Sequence, residues 1–174
     1  MTILAIDPGN TQSGYALIDA DTRRPLAVGK IPNDELLESL LDWCVGGLLE
    51  QRPLITHLAI EMVASYGMAV GKEVFETCVW IGRFQQLADV YATGMSCELV
   101  YRRDVKLHHC HSAKAKDANI AQALIDRFAS GQPNRGKGTK AAPGWFHGFA
   151  ADMWQAYALA VLVADRLDPA AVAS

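Results

Sequence analysis

Three acidic residues occupy places from which a carboxylate can do chemistry. Asp7 ends the short apolar run Thr2 to Ile6, Glu61 ends the apolar run Leu54 to Ile60, and Asp152 stands near the start of an Ala-rich stretch that runs to Leu167. Carboxylates gathered from separate elements repel one another, and a shared proton or a divalent cation must relieve that repulsion. A ligand set made only of oxygen suits Mg²⁺ or Mn²⁺. Two such ions side by side activate a water and stabilise the leaving oxygen of a phosphodiester, so hydrolysis of a nucleic-acid backbone is the chemistry expected of the trio. Taken singly, each acid has a plainer reading. Asp-Pro-Gly is a common turn, a Glu at a strand end can be merely solvated, and an Asp in the first turn of a helix is favoured by the helix dipole whatever its job.

For these side chains to meet, strands and a helix must carry them to one place. The run ending at Asp7 reads as a buried strand, followed by the turn Asp7-Pro8-Gly9-Asn10. Strands around Ser13 to Ile18 and Leu26 to Ile31, separated by a polar stretch, complete an antiparallel meander. Asn33 or Asp34 is placed to cap a helix in which Leu37, Leu40, Leu41, Cys44, Val45 and Leu48 share a face, ending before Pro53. The strand Leu54 to Ile60 follows, then a loop at Tyr66 to Lys72. A helix over Glu73 to Tyr91 shows periodicity through Val74, Cys78, Ile81, Gln85 and Ala88, and Cys97 to Tyr101 forms another strand. Beyond it come a helix over Ala115 to Phe128, a loop from Ser130 to Gly144 expected to be flexible without a partner, an amphipathic helix over roughly Phe149 to Leu167 with Asp152 in its first turn, and a frayed tail from Asp168. If the first and fourth strands run parallel, Asp7 and Glu61 emerge at the same sheet edge. At 174 residues, with no internal repeat, one domain and one active site are expected.

Composition narrows the classes. Half of the chain is hydrophobic and a fifth is charged, as in a globular protein, and its uncharged runs are too short to span a bilayer. The N-terminus lacks a secretion signal, which makes the cytoplasm the default expectation. Cys44, Cys78, Cys97 and Cys110 show no C-x-x-C pairing, and Cys44 and Cys78 read as core residues. His108, His109 and His111 lack the companions that would make a zinc site. A net charge of −3 is unfavourable for a nucleic-acid binder, yet the positive charge is concentrated. Arg102, Arg103, Lys106, Lys114 and Lys116 crowd one segment against Asp104 alone, and Arg135, Lys137 and Lys140 make a second basic stretch.

A joint pattern then stands out. Ile3-Leu4-Ala5-Ile6-Asp7-Pro8-Gly9 with Ser13-Gly14-Tyr15-Ala16, Leu58-Ala59-Ile60-Glu61, Val70-Gly71-Lys72 with Trp80-Ile81-Gly82-Arg83, Val105-Lys106, and Ala150-Ala151-Asp152 with Ala156-Tyr157-Ala158-Leu159-Ala160 resemble the RuvC family of Holliday-junction resolvases, in the same order and over nearly the whole chain. The resemblance implies an α/β, RNase H-like fold: a mixed five-stranded sheet, three antiparallel strands then parallel ones, flanked by helices. It implies a homodimer that cuts a four-way junction symmetrically with Mg²⁺ or Mn²⁺, two ions per site, held by Asp7, Glu61 and Asp152. Lys106 matches a basic residue beside the scissile phosphate, and Lys116, or failing it Lys114, a second; a solvated basic face is the plain alternative. Tyr66 resembles an aromatic that stacks on an unpaired base, or else it packs, and Lys72, Arg102 and Arg103 complete the expected DNA surface.

One departure matters. The family carries a further acid or histidine one helical turn before the last aspartate, and Phe149 stands there in this chain. His147 could fold back to replace it, or be a structural loop-end residue. The departure suits a phage or prophage member, and forks join four-way junctions among the expected substrates. Two rivals stand beside this reading: a junction-binding relative without catalysis, and an actin-like ATPase domain, for which the chain is short.

Overall fold

The computed structural model describes residues 1–45, 55–65, 67, 69–91 and 94–168. Thr2–Asp7 forms strand β1, in which Ile3 and Ala5 point to one face, Leu4 and Ile6 to the other, and all four are fully buried. A strand buried on both faces needs a covering layer on each side. Its neighbours are β2 (Gln12–Asp19), antiparallel to it, and β4 (Ile55–Met62), parallel to it; β3 (Pro25–Pro32) pairs antiparallel with β2 and β5 (Ser96–Tyr101) parallel with β4, in the spatial order β3-β2-β1-β4-β5. This is the mixed five-stranded sheet expected from the sequence.

Helices α1 (Asn33–Val45) and α2 (Lys72–Tyr91) cover one face, burying Leu36, Leu40, Ile81 and Phe84 against Leu4, Ile6, Leu58 and Ile60. Helices α3 (Arg102–Cys110), α4 (Asp117–Phe128) and α5 (Met153–Leu167) cover the other face, where Ile3, Ala5, Ala16 and Ala59 meet α5. Small residues on the sheet let α5 approach closely. Every residue of α5 from Gln155 to Asp165 is buried, so the helix is a central element with no polar face along that stretch, unlike the amphipathic helix expected.

Other boundaries differ for physical reasons. The buried face of α1 is Leu36, Leu40 and Cys44, while Leu37 and Leu41 are half-buried and Val45 is exposed; Leu48 and the helix end before Pro53 lie outside the described residues. In α2 the buried residues are Thr77, Ile81, Phe84 and Ala88, one step round from the expected stripe, and Cys78 is half-buried. Helix α3 was hidden in a segment rich in charge and histidine. It is anchored by Val105 alone among its buried residues. Helix α5 starts at Met153, not near Phe149, because Phe146 and Phe149 turn inward and pack with Trp154 and Tyr157 at ring separations of 4.7 to 5.7 Å. The stretch from Ser130 to Gly144 is laid out as turns, with a short 3-10 turn at Pro133–Gly136 and backbone hydrogen bonds that include Gly144 to the Lys137 carbonyl at 3.0 Å. The tail beyond Asp168 lies outside the described residues. No helix among the described residues is long and apolar enough to cross a membrane.

The far end of α5 is pinned by charge. Asp165, 1% exposed, accepts hydrogen bonds from Arg23 Nε at 3.2 Å, His108 Nε2 at 2.8 Å and Arg127 Nη2 at 2.9 Å, and so ties α5 to the β2–β3 turn, α3 and α4. Burial alone would raise its pKa, but the bonds from His108 and Arg127 outweigh it and hold the carboxyl far below the usual carboxylate range. A pKa depressed on folding contributes stability that is present above the unfolded value and is lost as the pH falls below it. Asp165→Asn should therefore cost about 3 kcal/mol at neutral pH, by leaving buried cations uncompensated. Urea melts should show the deficit shrinking below pH 4; a variant as stable as the parent at pH 7 would show the cluster to be idle.

Candidate active site

Strand register brings the acids together. Ile6 pairs with Ile60 across the parallel β1–β4 ladder, so Asp7 and Glu61, each the next residue, stand side by side. Both share the face of Ala5 and Ala59, which is the face covered by α5. The same row continues outward in each direction. Asp7 is registered with Gly14 on β2, Gly14 with Lys30 on β3, and Glu61 with Val100 on β5. Reading across the sheet, the row is Lys30, Gly14, Asp7, Glu61, Val100.

Gly14 is the gap into which Asp152 descends. A Cβ on Gly14 would lie 2.9 Å from the Asp152 carbonyl oxygen and 3.1 Å from its Cβ, so the absent side chain is what lets the head of α5 settle beside Asp7. Asp152 is the residue that precedes the first turn of α5, but its carboxylate caps no backbone N–H. It pairs with Lys30. Ala151 before it is held at φ 33°, a left-handed conformation that costs a non-glycine residue about 1–3 kcal/mol. The turn after Asp7 is braced as well: the Asn33 side chain donates to the Gly9 carbonyl at 2.9 Å and accepts from the Ser13 hydroxyl at 2.6 Å, so Asn33 serves this turn while opening α1.

Burial and acidic neighbours disfavour the charged form of both strand acids. Burial, with Glu61 close by and Asp152 and Asp117 adding to it, pushes the Asp7 carboxyl up to about 7. Burial also raises Glu61, although Arg102 and Lys106 act against it. Arg102 Nη1 donates to Glu61 Oε2 at 2.9 Å, and Nη2 reaches Asp117 Oδ1 at 2.7 Å. As the side chains stand, no three His, Cys, Asp or Glu groups among the described residues close to metal-binding distance. The donor set nevertheless fits a divalent ion: three hard oxygen donors come from two strands and the head of a helix, and the central one is destabilised as an anion by burial and by its acidic neighbours.

The remaining expected residues divide into those near the row and those away from it. Lys106, half-buried on α3, is close enough to lower the pKa of Glu61. Lys116 immediately precedes α4 and Lys114 lies two residues earlier; both are exposed, as is Arg103. Arg102 turns inward to Glu61, away from the surface role expected of it. Lys72 opens α2 and pairs with Glu76 at 3.2 Å. His147 is exposed and donates through Nδ1 to the Lys137 carbonyl at 3.3 Å; it lines a cavity beside Pro25 to Val28, and the structure does not bring it to the acids. Phe149, 2% exposed, is part of the aromatic core. Tyr66 lies outside the described residues. Sequence reading missed Lys30, Asp117 and the part played by Gly14. The register of the β2–β3 hairpin would have disclosed Lys30, and nothing local distinguishes Asp117.

An open face with carboxylates at the ends of adjacent parallel strands, and a helix delivering another, is the RNase H-like α/β arrangement. No protein-family model matches the chain, and no curated protein matches it. Among solved structures, Thermus thermophilus RuvC is similar at 17% identity with a TM-score of 0.63, over 96% of this chain and 96% of that one. T. thermophilus RuvC in complex with a Holliday junction substrate is similar at 16% identity with a TM-score of 0.66, over 98% of this chain and 96% of that one. The chain has a RuvC-like fold.

The tight seat of Asp152 can be tested directly. Gly14→Ala should force the head of α5 off the sheet and cost about 1–3 kcal/mol, read from the midpoint of chemical denaturation. An unchanged midpoint would mean that α5 yields without penalty and that the close approach is incidental.

Proposed function

We propose that this chain is a metal-dependent endonuclease that acts on branched DNA, four-way junctions foremost, as a homodimer placing paired symmetric nicks. The observation that carries the reading is the row itself. Asp7 and Glu61 are neighbours on one sheet face, Asp152 is seated over Gly14 beside them, and Lys106 is close at hand on α3. The similarity of the fold to RuvC bound to a Holliday junction substrate supports the substrate class.

In this reading Asp7, Glu61 and Asp152 hold Mg²⁺ or Mn²⁺, two ions per site, which supply a metal-activated water and charge stabilisation at the leaving oxygen. Lys106 places a positive charge near the phosphate being cut, and the exposed Arg103, Lys114 and Lys116 extend a basic surface for neighbouring phosphates. An apolar cavity of about 290 Å³ beside Glu61, with Met62, Val63 and Val70 in its wall, offers room for a base displaced from its stack.

The homodimer has its own support. Phe75, Val79, Gly82, Gln86 and Val90 follow one another on the outer side of α2 at spacings of three and four, and Phe75, Val79 and Val90 are 61%, 58% and 59% exposed. That is the pattern by which helices pack on one another. A Cβ at Gly82 would meet nothing within 4 Å among the described residues, so packing among them gives no reason for a mid-helix glycine, which costs about 1 kcal/mol relative to alanine. A second α2 crossing there explains it.

A non-catalytic junction binder is the second reading, favoured by Phe149, which fills with a core aromatic the place of a further acid. One assay separates the two. With a synthetic four-way junction and Mg²⁺ or Mn²⁺, the chain should nick strands in pairs and EDTA should stop it; Asp7→Asn should lose cutting about a hundred- to a thousandfold, the scale of the loss when a transition-state contact is removed, and keep junction binding. Lys106→Ala should lower turnover more than affinity. Binding without cutting under every metal would establish the second reading. In sedimentation the parent should run as a dimer and Val79→Glu as a monomer, and a monomeric parent with and without DNA would refute the dimer.

A further inference from the structure

Both ends of the carboxylate row carry a fixed cation of the chain's own. On the β3 side, Lys30 is the only charged residue of its strand, stands in the row itself opposite Gly14, and pairs with Asp152. On the β5 side, Arg102 binds Glu61 at 2.9 Å. Its other amino group pairs with Asp117 at 2.7 Å, and the Arg102 side chain is 20% exposed. Asp7, between the two pairs, makes no ion pair among the described residues. The order of charge along the site is therefore cation, anion, anion, anion, cation, with a further anion anchoring the last.

We infer that Lys30 and Arg102 are built-in counter-ions, positioning residues that neutralise Asp152 and Glu61 in the ion-free protein and hold its affinity for divalent ions low. The inference rests on the reading of these acids as metal ligands. A cation within contact distance of each of these two acids weakens its repulsion of Asp7. The same cations repel a divalent ion that approaches the shared carboxylates. Each ion pair must be broken or stretched before its oxygen can be given to a metal, so the two pairs compete with binding directly.

The test is calorimetric titration of Mn²⁺ into the DNA-free full chain. Lys30→Met and Arg102→Met, which keep the bulk of the side chain and drop the charge, should each bind Mn²⁺ about tenfold more tightly than the parent, the scale of one partly solvated charge near the ion. Lys30→Arg, which keeps the charge, should match the parent. Without Mn²⁺ both methionine variants should melt at lower temperature than the parent, and saturating Mn²⁺ should erase the difference, which loss of packing alone would not do. Adding Asp7→Asn to each should abolish the binding. Unchanged or weaker Mn²⁺ affinity in both methionine variants, with binding that still depends on Asp7, would overturn the counter-ion inference and leave the metal reading intact. Absence of Asp7-dependent binding even in the double variant lacking Lys30 and Arg102 would overturn the metal reading, and the inference with it.

Discussion

Burying acidic side chains beside one another is costly, because the water removed no longer offsets their mutual repulsion. That cost organises the surroundings of the row. Burial first, and the neighbouring Glu61 second, lift Asp7 far above an ordinary aspartate, and a lysine and an arginine pair with the acids at opposite ends of the row. The fold must in turn be rigid enough to hold the acids together against their mutual push. It achieves this with a sheet buried on both faces and with a helix, α5, buried on all sides.

Much of this arrangement was legible before any coordinates. The apolar runs that end in Asp7 and Glu61 could be read directly, because a strand with continuous hydrophobicity has both faces covered and its first polar residue marks where the cover stops. Parallel pairing of those strands was the condition for their acids to meet, and the β1–β4 ladder meets it. The joint pattern of motifs pointed to the RuvC-like fold, which is present although identity with the solved examples is only 16–17%. At that distance the shared content is the layout of strands and helices, and the chemistry of this chain rests on its own side chains.

What could not be read depends on register and on long-range packing. Lys30 is an unremarkable residue near the end of an edge strand until the β2–β3 ladder sets it opposite Gly14. Arg102 looks like one more member of a basic cluster, and only its contact with Glu61 from 41 residues away draws it inward. The beginning of α5 was misplaced because periodicity cannot tell an aromatic that opens a helix from one that folds beneath it; Phe146 and Phe149 do the latter. Helix α3 escaped notice because its residues are mostly charged or histidine and Val105 is its one buried residue.

The burial of α5 has a further consequence. Asp152 lies at one end of this helix and Asp165 at the other, roughly 20 Å apart at 1.5 Å per residue, and the distant end is clamped by Arg23, His108 and Arg127. A rod fixed at its tail behaves as a ruler, setting how far its head extends over the sheet. Repacking residues that never approach Asp7 or Glu61 can thus reset how far Asp152 extends over the sheet, and variants that alter the row are to be sought at the opposite pole of the molecule as well as beside it.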